Sequence, residues 1–154
     1  MAMHYQRPPW FNRNIQDPVV RAAMRIGISV WGSRTLRVRG RKSGEWRSTP
    51  VNLLKIGGTQ YLVSPRGQTH WVRNIRISRE GELLLGGKVQ PFRAVELADD
   101  QKIHVLRDYL KRWKFEVGVF FGGVGPDSTD AELRRIAPDH PVFRVEPLYP
   151  PLAS

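Results

Sequence analysis

The residues best suited to chemistry in this sequence form a short basic turn between two stretches that are typical of strands. The turn is Gly40-Arg41-Lys42-Ser43-Gly44, and Arg47 follows on the next strand. Its two glycines permit a tight turn whose backbone N–H groups point at an anion. Arginine binds phosphate or carboxylate through a bidentate fork, and lysine adds a mobile positive charge. We interpret the turn as an anion-binding site. The alternative is a β-turn whose charges are only solvated.

Patterns for other kinds of catalysis are missing. The basic turn lacks the Walker pattern, which needs Gly-Lys-Ser/Thr after a first glycine five residues earlier, and this argues against nucleotide hydrolysis. Ser43 and Ser64 have no acid–histidine arrangement beside them, so a hydrolase triad is unsupported. The four histidines are scattered without metal-ligand spacing, and the absence of cysteine removes thiolate catalysis and cysteine-ligated metals. We therefore expect no metal site.

Length and composition predict one domain over residues 1–154, with an N-terminal arm at 1–16 and an extended tail at 147–154. The net charge of +11 favours anionic partners. Nucleic acid is not expected, because three of the five tryptophans, Trp31, Trp71 and Trp113, fall at apolar helix positions and should pack in the core.

The chain is expected to be cytoplasmic. Its N-terminus has no apolar signal region, and the apolar stretch 19–31 is too short to span a bilayer and is interrupted by Arg21 and Arg25. Arginines on this segment and the nearby Trp10-Phe11 leave peripheral contact with a membrane open.

Periodicity predicts several short strands that are interrupted by helices, without a regular βαβ alternation. This pattern predicts an α+β domain built on a mostly antiparallel barrel. A first helix should span 17–31, after an Asp17-Pro18 start. Gly57-Gly58 and Gly86-Gly87 should form hairpin turns. The predicted strands are 35–39, 46–56, 61–64, 82–85, 89–97 and 142–145, and the other predicted helices are 70–79, 99–114 and 129–136. In helix 70–79 we expect Trp71, Ile75 and Ile77 to face inward.

Several motifs together resemble one known family. They are Gly40-Arg41-Lys42-Ser43-Gly44, Arg47, Thr49-Pro50-Val51, Tyr61-Leu62-Val63-Ser64 and His70-Trp71-Val72-Arg73-Asn74-Ile75. In this order and spacing they resemble the deazaflavin (coenzyme F420)-dependent nitroreductase family of the FMN-binding split-barrel superfamily. The resemblance implies a split β-barrel of six or seven strands that binds coenzyme F420, with FMN the less favoured cofactor. The anionic phosphate and oligoglutamate tail of F420 suits the basic turn.

The resemblance also implies roles for individual residues. Arg41, Lys42, Ser43 and Arg47 would hold the phosphate and glutamates. Ser48, Thr49, Pro50 and Val51 would line the deazaflavin edge, largely through their backbone groups. Val63, Ser64, Pro65 and Arg66 would close the other side, and His70, Trp71 and Asn74 would surround the ring and ribityl chain. Asn52, Phe115, Phe120 and Phe121 would line the substrate pocket.

The implied activity is hydride transfer between reduced F420 and a small apolar, electron-poor acceptor such as a quinone, an enone or a nitro compound. We expect no dedicated catalytic residue, because the cofactor carries the chemistry. Nitroreducing members hold substrate with tyrosines, where this chain has phenylalanines. A protein that binds the cofactor or an acyl ligand without turnover therefore remains the alternative. The chain could be a monomer or a homodimer.

Overall fold

The strands form a closed antiparallel barrel. The computed structural model describes residues 33–148, and the predicted first helix, the N-terminal arm, Trp31 and the end of the tail lie outside this range. The six strands lie in the order β1-β2-β3-β6-β5-β4, with β4 closing on β1. Their bounds are β1 Ser33–Arg39, β2 Trp46–Ile56, β3 Thr59–Val63, β4 Glu80–Leu85, β5 Lys88–Glu96 and β6 Val142–Pro147. The predicted α+β split barrel is thus confirmed.

Within residues 33–148, three α-helices flank the barrel: α1 His70–Ser78, α2 Ile103–Val117 and α3 Asp130–Ile136. Short 3₁₀ turns lie at Asp99–Gln101, Gly118–Phe121 and Ala137–Asp139. The predicted helix 99–114 therefore begins with a separate turn, and α2 extends further than expected. At the N-terminus of α3, the Thr129 side chain accepts a hydrogen bond from the backbone N–H of Glu132, which caps the helix.

Alternating side chains fill the barrel interior. In β1, Leu36 and Val38 are fully buried, whereas Arg37 between them is half-buried. This period of two places alternate residues on opposite faces of each strand. The interior cluster comprises Leu36, Val38, Val51, Leu53, Leu62, Leu83, Phe92, Ala94, Phe143 and Val145, together with Trp71, Val72 and Ile75 of α1. Helix α1 thus packs on the interior at the end where β1 and β3 finish.

Within α1 one predicted orientation is wrong. Trp71 and Ile75 are buried as expected, with the Trp71 ring 5.7 Å from that of Phe143. Ile77, in contrast, is 69% exposed. It follows Ile75 by two residues, which is about 200° around an α-helix, so both cannot face the same core.

A second core lies between the outer face of the barrel and α2. The outward residues Leu54, Val63 and Val142 pack there with Leu106, Leu110 and other α2 residues. Trp113 also belongs to this cluster, as predicted, at a position where the helix is kinked. Within residues 33–148, no helix is long and apolar enough to cross a membrane.

Candidate cofactor groove

The basic turn, residues 40–44, closes the β1–β2 hairpin as the sequence predicts. The backbone N–H of Gly40 donates to the Glu45 carbonyl at 2.7 Å, and that of Gly44 donates to the Gly40 carbonyl at 2.9 Å. Gly44 has a φ of +74°, a conformation that favours glycine. The Ser43 hydroxyl accepts from the Glu45 N–H at 3.1 Å. The turn therefore has a defined conformation.

Arg47 lies on β2, beside the basic turn. It pairs with Val38 across the hairpin, and its Cγ would lie 3.6 Å from a Cβ built on Gly40. The stem of Arg47 thus runs beside the turn, where Lys42 and Ser43 are also exposed. Among the described carboxylates, none forms an ion pair with Arg41, Lys42 or Arg47. The structure brings together the three cations that the sequence assigned to an anionic tail.

Asn74 of α1 fixes the turn against the helix. Its side-chain oxygen accepts hydrogen bonds from both the backbone N–H of Arg41, at 3.1 Å, and Nη1 of Arg41, at 2.8 Å. Asn74 is only 4% exposed, so these bonds satisfy a buried polar group. This contact between two predicted site residues sets the position of Arg41.

Trp46 supports the other side of the hairpin. The guanidinium carbon of Arg39 lies 4.1 Å from the centre of the Trp46 ring, and that of Arg37 lies 5.1 Å from it. Arg39 also donates through Nη1 to the Gly44 carbonyl at 3.1 Å, and Arg37 forms an ion pair with Glu82. Sequence reasoning missed this stack, although arginines and a tryptophan facing each other across a hairpin are a readable signal.

The first half of β2 has an open edge. Residues 46–52 pair with β1, whereas β3 pairs only with residues 53–56. On the side away from β1, residues 46–50 thus have no partner strand in the described part of the chain. Their backbone groups on that side can bind a ligand, as strand edges do. This arrangement suits the predicted backbone role of Ser48, Thr49 and Pro50, whose contacts with cofactor stay a prediction, as does that of Val51.

The loop 64–69 joins β3 to α1, and the resemblance assigns its first residues and the start of α1 to the other side of the cofactor. The hydroxyl of Ser64, which is fully buried, donates to the Gly67 carbonyl at 2.6 Å, so the side chain shapes the loop. Val63 points away from the interior into the core under α2. Pro65 and Arg66 are half-buried, and His70 is exposed at the first residue of α1. Trp71 is mostly buried against Phe143.

The predicted substrate residues do not share one cavity. Phe115 is fully exposed and lines a cleft of about 400 Å³ with Lys114, Gly118, Val119, Gly123 and Val124. Phe121 is 1% exposed and stacks on His140, with the ring centres 4.0 Å apart. Phe120 is also buried, and Asn52 lies on β2 opposite Ser33. Helical and 3₁₀ geometry turns successive side chains to different sides, which residue type alone did not reveal.

The histidines and acidic residues in the described part of the chain do not form a metal site. Among residues 33–148, no group of three or more such side chains could hold a metal ion. His104 on α2 is exposed and packs edge-on against Tyr61.

The fold defines the class of this protein as an α+β split barrel, here with a basic turn beside an open strand edge. A family model described as F420H(2)-dependent quinone reductase matches residues 8–115. The chain belongs to this F420H(2)-dependent quinone reductase family. This match confirms the coenzyme F420 part of the resemblance described above. No curated protein matches the chain.

Solved structures share the fold at low sequence identity. An F420-H2 dependent reductase is 21% identical with a TM-score of 0.52, and the match covers 75% of this chain and 94% of that one. A conserved hypothetical protein from Mycobacterium tuberculosis is 15% identical with a TM-score of 0.55, covering 83% and 80%. The heme storage protein from Vibrio cholerae is 8% identical with a TM-score of 0.54, covering 84% and 90%. At these identities the likeness concerns the fold alone.

Proposed function

We propose that this protein is an oxidoreductase that binds coenzyme F420 in the groove between the basic turn, the open edge of β2 and the start of α1. Membership of the F420H(2)-dependent quinone reductase family supports the cofactor and the reaction class. The observation that carries the site is the convergence of Arg41, Lys42 and Arg47 on one turn.

The charges of the groove fit the cofactor tail. A phosphate followed by glutamates presents a line of negative charges. The turn presents Arg41 and Lys42, and Arg47 lies beside it on β2; none of these three cations has a described acidic partner. Hydrogen bonds to charged groups contribute about 1.5–3 kcal/mol each when well formed. FMN carries a single phosphate and would leave part of this charge unused, so we favour F420 over FMN.

The chain's own part in the reaction is to bind and orient the cofactor. Bound F420 supplies a hydride from its reduced ring. The open backbone edge of residues 46–50 would hold one edge of the ring, and the Arg41–Asn74 hydrogen bonds would fix the turn relative to α1. His70 and Arg47 are exposed, so water reaches the groove and can deliver the proton.

We propose a quinone as the acceptor class, because the matching family is described by that activity. Enones and nitro compounds are the other electron-poor acceptors to be compared. A solved structure that is 19% identical, with a TM-score of 0.52, is a domain-swapped dimer. We propose a homodimer for this chain too, which sedimentation equilibrium would test.

Titration of the full chain with F420, followed by turnover assays, tests the proposed function. We expect saturable binding and oxidation of F420H2 that depends on both protein and quinone. Arg135→Ala is the matched control, because it removes one exposed arginine on α3, away from the groove. Absence of binding would contradict the proposal. Binding without turnover on quinones, enones and nitro compounds would instead favour the binding-protein alternative.

A further inference from the structure

The end of the barrel opposite α1 contains a second cavity, of about 230 Å³. Here β1 and β3 begin and the β4–β5 hairpin turns. We call this end the barrel mouth. It is lined by Arg34, Leu53, Lys55, Gln60, Leu83, Leu85, Lys88, Val89 and Gln90.

Most of these lining residues occupy interior-facing positions. Arg34 is two residues before the buried Leu36 in β1, and Lys55 is two residues after the buried Leu53 in β2. Lys88 lies four residues before the buried Phe92 in β5, again an even step. Because side chains alternate along a strand, all three cations share the face that forms the core. Small barrels are normally filled by packed side chains. Here the interior-facing positions nearest the opening include these three cations.

The described lining of the barrel mouth carries positive charge. Of its lining residues within 33–148, none is aspartate or glutamate. Among residues 33–148, no carboxylate forms an ion pair with Lys55 or Lys88. Burial, and then the like charge of Arg112 on α2, lower the pKa of Arg34. A cluster of cations at a partly enclosed opening attracts an anion.

Apart from Gln60 and Gln90, the remaining lining is apolar. Leu53 and Leu83 are buried at the base, whereas Leu85, which pairs with Lys88 and shares its face, is 41% exposed at the β4–β5 hairpin. An occupant that covers these side chains would remove apolar surface from water, which is favourable. The lining therefore suits a ligand with one anionic end and a short apolar body.

The barrel mouth is separate from the basic turn. Strand β1 runs from Ser33 at the barrel mouth to Arg39 at the basic turn. At about 3.3 Å per residue, five steps from Arg34 to Arg39 span roughly 17 Å. One small ligand cannot occupy both places.

We propose that the barrel mouth binds a small amphipathic carboxylate, with its head group near Arg34, Lys55 and Lys88 and its chain against the interior-facing leucines Leu53, Leu83 and Leu85. The cavity volume is below the range of about 300–1,000 Å³ typical of drug-sized ligands, which favours a short aliphatic chain. The site lies outside the groove assigned to F420 and does not depend on that assignment.

Calorimetric titration of the full chain with octanoate tests this site, with acetate and octanol as matched probes. We expect one saturable octanoate site, with acetate and octanol each binding at least about tenfold more weakly because each lacks one half of the recognised chemistry. A Lys55→Gln/Lys88→Gln double variant should lose about tenfold or more in octanoate affinity. The control Arg134→Gln/Arg135→Gln, which removes the same charge from exposed positions on α3, should leave it unchanged.

NMR locates the site independently of these variants. Octanoate should shift the side-chain amide signals of Gln60, which lines the barrel mouth, and saturating F420 should not displace it. The proposal is overturned if octanoate shows no saturable binding, if both double variants bind equally well, or if acetate binds as tightly as octanoate. Displacement by F420, or unchanged Gln60 signals at saturation, would also overturn it.

Discussion

Replacing Arg47 by alanine should weaken F420 binding without weakening the fold. The Arg47 side chain is exposed, its stem lies beside Gly40, and no described carboxylate forms an ion pair with it. Losing one charge-assisted hydrogen bond to the anionic tail costs about 1–3 kcal/mol, which is roughly 5- to 150-fold in Kd. Turnover at saturating cofactor should change little, because the tail lies far from the reacting ring.

Arg41→Ala provides the informative contrast. It removes the same charge from the turn, but it also removes the bond from Nη1 to Asn74, while the backbone N–H bond to Asn74 remains. We expect a similar loss of cofactor affinity together with a loss of about 1 kcal/mol in unfolding free energy, since Arg41 is only half-buried. Arg41→Lys should recover little, because an ammonium cannot reproduce the guanidinium fork.

Fluorescence titration at several salt concentrations and urea unfolding measure the two effects separately. Affinity of the parent should fall as salt rises, because the partner is a string of negative charges in a partly wet groove. Arg135→Ala controls for the loss of one positive charge elsewhere on the surface. If Arg47→Ala binds full-length F420 as tightly as the parent does, the turn is only solvated and the assignment of the site fails.

Three further predictions concern the cofactor, metals and the barrel. In parallel titrations F420 should bind more tightly than FMN, and the reverse order would place the chain with flavin-binding barrels. Turnover should be indifferent to EDTA; a loss restored by a divalent ion would refute this. Gly81→Ala should destabilise the fold by about 1–3 kcal/mol in urea unfolding, because the added Cβ would lie 3.0 Å from the Arg37 carbonyl and 3.1 Å from the Phe92 ring. Gly58→Ala, which meets nothing within 4 Å, is its control, and equal stability of the two variants would contradict the packing argument.

Local patterns in the sequence predicted most of the barrel. Alternating side chains and paired glycines located the strands and hairpins, because both signals arise from neighbouring residues. The pairing of β1 with β4 and of β3 with β6 joins strands far apart in sequence, so no local pattern predicted it. Within α1, the two-residue spacing of Ile75 and Ile77 already rules out a shared helix face. The sequence alone therefore contradicted the predicted inward orientation of Ile77.

The candidate site was predicted less completely than the fold. The basic turn was recognisable because its charges and glycines are contiguous, and Arg47 follows by strand pairing. The Arg41–Asn74 contact depends on how α1 docks on the barrel, which the sequence does not specify. The same limit applies to the phenylalanines. Exposure of Phe115 depends on how α2 packs on the barrel, and burial of Phe121 against His140 depends on the path of the chain after α2. The burial of Lys102, which donates to the Ala137 carbonyl at 2.9 Å, had no sequence signal.

The most direct test of the central claim compares full-length F420 with the same deazaflavin lacking its phosphate and glutamates, in the parent protein and in Arg47→Ala. If the basic turn binds the tail, the parent should bind full-length F420 much more tightly than the truncated form. The parent and Arg47→Ala should bind the truncated form with similar affinity, so the variant should show a smaller difference between the two forms. Equal affinity of the parent for both forms would contradict the account, as would an unchanged preference in the variant.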